Sequence, residues 1–118
     1  MKSPQDPRHQ KRIKTMQQLF SYGFRQDNYP AEISDIVTKL PDIDTKIQTA
    51  APEWPLSKIA MIDLAVLRLA VYELTVTKKE PPKVVIDEAV ELSKEFGNQN
   101  SPQFINGVLG TILKDLKN

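Results

Sequence analysis

The chain has 118 residues, 16 Lys or Arg against 15 Asp or Glu, and no cysteine. That length suits one domain with a sizeable core that needs no metal or disulfide staple. The missing thiol excludes thiolate catalysis, redox exchange and thiolate-bound zinc, and a net charge of +1 excludes a surface coated in one sign of charge.

The charge is nonetheless segregated. Residues 1–25 carry six Lys or Arg against Asp6 alone, residues 26–53 carry six acids against two lysines, and the remainder balances eight against eight. A basic first element on a near-neutral chain points to a local polyanion contact. The opening MKSPQDPRHQKR leads into no apolar signal region, which predicts a cytoplasmic chain. Pro4 and Pro7 punctuate a flexible tail over residues 1–7, ahead of a single domain that fills the rest.

A first helix is expected from about Arg8 to Arg25. At about 100° per residue, Ile13, Met16, Phe20, Gly23 and Phe24 share an inward sector. Arg8, Lys11, Lys14, Gln18, Tyr22 and Arg25 share the opposite one, with Arg12 on the boundary. Cations interleaved with an aromatic suit phosphate contacts and base stacking; they suit an ordinary solvated face equally, and the pattern leaves both open. His9, the only histidine, falls in a mobile basic stretch with no partner nucleophile, so it is expected at the surface, as a neighbour of phosphate rather than a general base.

Pro30 opens a short helix over about Ala31–Leu40, with Ile33, Ile36, Val37 and Leu40 at helical spacing, and Pro41 stops it. Asp42 or Asp44 is expected to cap a third piece carrying Ile43 and Ile47. Pro52 and Pro55 bracket Trp54 in a rigid corner, where the indole is expected to pack into the core. The next stretch, Ile59–Thr75, has only Asp63, Arg68 and Glu73 as charges and is apolar almost all the way round. It is too charged for a membrane span of roughly 20 apolar residues, which makes it the central helix of a bundle.

After the turn KKEPPK, a helix over about Pro82–Phe96 places Ile86, Ala89, Val90 and Phe96 inward. Asp87, Glu88, Glu91, Lys94 and Glu95 then form a solvated outer face rather than a catalytic carboxylate pair. Gly97 suits the position after that helix. Ser101 as N-cap and Pro102 behind it start the last helix, with Ile105, Val108, Leu109, Ile112, Leu113 and Leu116 on one face. The whole predicts an all-α bundle of about six helices around a buried central helix. One histidine, no cysteine and no glycine-rich loop after a strand leave no catalytic or metal constellation and imply no cofactor; the chain is a binding protein and not an enzyme.

Three runs carry a resemblance. IDLAVLRLAVYEL (Ile62–Leu74), PPKVVIDEAVELSKEFG (Pro81–Gly97) and FINGVL (Phe104–Leu109), in that order and spacing, closely resemble the NusB family. MQQLFS (Met16–Ser21), after the basic RHQKR, matches the start of that family. The resemblance implies an all-helical fold of two packed subdomains and a role in transcription antitermination. Family members pair with NusE, a ribosomal protein of the small subunit. They bind the boxA element of nascent ribosomal RNA transcripts and help load a processive RNA polymerase complex.

Carried over by motif, the resemblance implies RNA contacts from Arg8, His9, Lys11, Arg12 and Lys14, and from Asn100, Gln103 and Phe104 at the last helix start. His9 and Gln10 stand where arginines are common, and Asn100 where many members have an acid. Asp63, and with it Glu73 on the same side of the helix, is assigned to the NusE surface. Arg68 points the other way and is expected to pair internally with a glutamate of the Val84–Phe96 helix. The stretch from 26 to 55 looks short for the family, and in isolation a monomer or weak homodimer is expected, with no membrane contact. Two other readings are a helical interaction module without RNA binding and a detached NusB-like domain of a ribosomal RNA cytosine methyltransferase.

Overall fold

The computed structural model describes residues 6–117, and its first helix begins inside the expected tail. The Asp6 carboxylate accepts the Arg8 N–H at 2.8 Å and Pro7 occupies the first turn, so α1 runs Pro7–Phe24. The rest of the expected tail, residues 1–5, lies outside the described residues. The buried stripe of α1 is His9, Arg12, Met16 and Leu19, while Phe24 is exposed. The stripe is therefore rotated from the sector that the apolar residues alone define, because two polar side chains lie on it.

Pro41 does not end a helix. A 3-10 turn (Ala31–Ile33) leads into the short α2 (Ser34–Thr38), and Pro41 sits in the first turn of α3 (Leu40–Ala50), where a missing N–H costs little. Neither Asp42 nor Asp44 caps α3; the cap position is Lys39, whose side chain makes no capping bond. After the corner at 51–60, α4 (Met61–Tyr72) is the central helix, buried over Asp63–Leu67 and Leu69–Val71. A π-helical turn, Glu73–Thr77, ends it, closed by the Lys78 N–H on the Glu73 carbonyl at 3.0 Å with Lys78 in the left-handed region at φ 51°.

The last two helices, α5 (Pro82–Phe96) and α6 (Ser101–Leu116), pack on each other, and α4 packs against α1, α3, α5 and α6. The inward face of α5 is Val85, Glu88, Ala89, Leu92 and Ser93, with Ile86, Val90 and Phe96 at its half-buried margin. The two halves, α1–α3 and α4–α6, share one continuous core to which all six helices contribute, with Met16, Ile36, Ile43, Leu67, Leu92 and Ile105 among its members. No helix among the described residues is long and apolar enough to cross a membrane.

Candidate nucleic-acid interface

The start of α1 is basic, and one of its four cations, Arg12, is directed inward together with the imidazole of His9. Arg12 is buried and grips Glu73 with both ends of its fork, Nε to Oε2 at 3.0 Å and Nη2 to Oε1 at 2.8 Å. Nη2 also donates to Glu80, and Nη1 lies 3.5 Å from Glu88. One cation thus ties α1 to the end of α4, the following turn and α5. Burial opposes its charge, but the bonds from Glu73 and Glu80 outweigh burial and hold the guanidinium above its usual range.

His9 is also buried, one turn before Arg12, with Nδ1 3.5 Å from Glu88 and Nε2 2.7 Å from Glu95. It is not the surface residue expected, and Glu88 belongs to the interior and not to a solvated face. Both corrections have one cause: buried polar groups find partners in one another, which apolar periodicity does not register. The cations left outside are Arg8, which reaches Glu80 at 3.1 Å, Lys14, which meets Glu32 at 3.2 Å across an exposed pair, and Lys11, which has no ion-pair partner among the described residues.

The start of α6 is built differently. Asn100, not Ser101, occupies the cap position, and Ser101 is buried. The Ser101 hydroxyl accepts the Asn98 N–H at 3.0 Å, and the Asn98 side chain accepts the Asn100 N–H at 2.7 Å. Gly97 permits this turn without entering the left-handed region, for it is extended at φ −92° and ψ −167°. A Cβ there would meet Ser101 Oγ at 2.5 Å, Ser101 Cβ at 2.7 Å and the Ser93 carbonyl oxygen at 2.8 Å. A close approach of two backbones, and not a positive φ, demands the glycine.

Asp63 stands beneath this turn. It is only 6% exposed, and its Oδ1 has no hydrogen-bond partner among the described residues. Burial pushes its pKa up, and the Ser101 side chain only partly opposes that. Asp63 therefore offers no exposed carboxylate, and Glu73 is engaged by Arg12. Arg68 is internal, as expected, but its mate is Asp44 of α3, bound through Nε at 3.0 Å and Nη2 at 2.9 Å, and not a glutamate of α5.

Above the turn, Asn100 and Gln103 are exposed and Phe104 is half buried. Phe104 meets Trp54 edge to face, centroids 6.1 Å apart at 75°. Trp54 does not enter the core; it is 47% exposed. A groove of about 880 Å³ joins the two helix starts, with His9, Gln10 and Ile13 on one wall and Pro102, Gln103 and Asn106 on the other. Asp87, Glu88, Glu91 and Glu95 also line it beside Lys94, so the lining of the groove is acidic and repels a polyanion.

A model of the NusB family matches residues 25–114. The chain is 43% identical over 94 residues to the transcription antitermination protein NusB of Wolinella succinogenes, covering 79% of this chain and 69% of that one. It is 52% identical over 73 residues to that of Chloroflexus aggregans, covering 60% and 49%. The match spans about half the length of the Chloroflexus and Roseiflexus castenholzii relatives. T. maritima NusB superposes with a TM-score of 0.82 at 33% identity, over 98% of this chain and 94% of that one. A chain from a crystal structure of a plectonemic RNA supercoil shares the fold at a TM-score of 0.83 and 22% identity.

Proposed function

The chain belongs to the NusB family, and from that premise we propose that it is a cytoplasmic, non-enzymatic transcription antitermination factor. It pairs with NusE and binds a boxA-like single strand in nascent ribosomal RNA, as part of an RNA polymerase antitermination complex. The observation that carries this reading is the superposition on T. maritima NusB over nearly the whole of both chains.

The exposed groups divide the work. Exposed Arg8, Lys11 and Lys14 of α1 supply phosphate contacts, and Asn100, Gln103 and Phe104 at the start of α6 supply polar and stacking contacts. Arg12 and His9 serve the same surface indirectly, by fixing α1 on the acids of α4 and α5. Asp63 is buried and Glu73 is held by Arg12, so neither offers an unengaged surface carboxylate to the partner. A chain of net charge near zero binds RNA weakly alone and steeply salt-dependently, and tightens with its partner.

A second reading, a helical interaction module without RNA binding, draws on the inward use of Arg12 and His9. One titration separates the two: a boxA-like RNA at fixed salt, with and without the cognate NusE. Binding that strengthens with NusE supports the antitermination factor, and no affinity in either arrangement supports the module.

A further inference from the structure

An exposed tryptophan costs apolar surface in water, so a corner that holds one rigidly outward calls for an occupant. The Trp54 corner is such a structure. Pro52 takes the second position of a turn closed by the Trp54 N–H on the Ala51 carbonyl at 3.0 Å. Pro55 follows, and its carbonyl accepts the Lys58 N–H at 2.7 Å to start a 3-10 turn. The Gln48 side chain of α3 then spans the corner. Its amide nitrogen donates to the carbonyls of Ala51 at 3.3 Å and Trp54 at 2.7 Å, and its Oε1 accepts the Leu56 N–H at 3.0 Å. Three hydrogen bonds from one side chain and two flanking prolines fix the backbone, while the indole they carry stays half exposed.

Building on the RNA-binding reading above, we propose that Trp54 and Phe104 form one two-ring platform on which unpaired nucleobases of the RNA stack. An edge-to-face contact covers at most one face of one of the two rings, and the half-exposed indole leaves aromatic surface open to a base. The platform is continuous with the exposed Asn100 and Gln103, which offer hydrogen bonds to base edges. Glu53, exposed beside Trp54, repels phosphate and so favours an approach in which bases, and not the backbone, face the corner. Preorganisation by Gln48 and the prolines lowers the ordering cost of stacking.

Trp54 is the only tryptophan, so its emission reports the contact directly. The test titrates a boxA-like single-stranded RNA into the full chain, with and without NusE, and follows both Trp54 emission and the anisotropy of end-labelled RNA. Stacking predicts quenched emission that saturates with the anisotropy. It also predicts an affinity about 5- to 150-fold weaker in Trp54→Ala, mostly retained in Trp54→Phe, with the melting temperature of both variants near that of the parent. RNA bound with unchanged emission and equal affinity for Trp54→Ala overturns the platform and leaves the antitermination reading standing. Emission that responds to NusE and not to RNA also overturns it, and makes the corner a protein contact. No RNA binding by the parent chain in either arrangement overturns both.

Discussion

The starts of α1 and α6 face each other across one groove, and they reach an exposed polar surface in opposite ways. The start of α1 is rich in cations, but Arg12 is consumed by Glu73, Glu80 and Glu88, and the His9 ring beside it is held by Glu88 and Glu95. The start of α6 has no charged residue between Gly97 and Phe104, yet it is held by a tight turn that leaves Asn100 and Gln103 outside. Formal charge in a segment is thus a poor guide to the charge it can offer a ligand. What counts is how much of it has already been neutralised at close range within the fold.

The largest expected effect tests that division at Arg12. Arg12→Ala leaves the facing carboxylates without their cation and should lower stability by about 3–5 kcal/mol in denaturant unfolding. Arg12→Lys should recover only part, since an ammonium cannot make the two-point bond to Glu73. If Arg12→Ala unfolds like the parent and loses RNA affinity alone, the contrast between the two helix starts collapses. At the other start, Gly97→Ala should cost about 1–3 kcal/mol, because the added Cβ meets the Ser93 carbonyl as well as Ser101 and backbone cannot step aside cheaply. The loss should come with weakened RNA binding, since the displaced turn is the one that presents Asn100.

The same contrast explains what could be read in the sequence. The helices α4 and α5 were legible: an all-round apolar run can only be central, and prolines and Gly97 punctuate α5 at both ends. The buried face of α1 was not, because His9 and Arg12 occupy it and their partners lie more than 60 residues away. One signal existed in the spacing, for positions 9, 12, 16 and 19 form a continuous helical stripe once polar residues are admitted. Trp54 was misplaced for a related reason. Large aromatics are inward by default, and nothing local in PEWP shows that Gln48 braces the corner from another helix.

A smaller effect sharpens the account of the α6 turn. Asp63 has a raised pKa in the folded chain because of burial, with its Oδ1 unpaired among the described residues. When the folded pKa exceeds the unfolded one, the native state favours the proton. The associated stability is fully present below the unfolded pKa and is lost as pH rises through the folded value. Ionising Asp63 is therefore a burden on the native state, and Asp63→Asn, which cannot ionise, should raise stability at neutral pH by about 1 kcal/mol. The gain should shrink as pH falls towards the ordinary carboxylate range, measured as the difference in melting temperature between parent and variant. A gain that grows on acidification would mean that the carboxylate is stabilised where it lies.

The smallest effects on stability belong to the exposed cations, and these decide whether α1 contributes to binding at all. Lys11 has no ion-pair partner among the described residues, whereas Lys14 already meets Glu32, a pair whose side chains are both more than half exposed. Neither Lys11→Ala nor Lys14→Ala should move stability by more than about 0.5 kcal/mol. Each phosphate contact on single-stranded RNA contributes about 0.7 to the slope of log affinity against log salt. Lys11→Ala should remove about that much if it contacts phosphate, and Lys14→Ala less, because Glu32 already competes for its ammonium. Glu32→Gln should then strengthen binding slightly by releasing Lys14. Slopes unchanged by all three substitutions would place the whole interface at the α6 start and its aromatic corner, with α1 reduced to a structural strut.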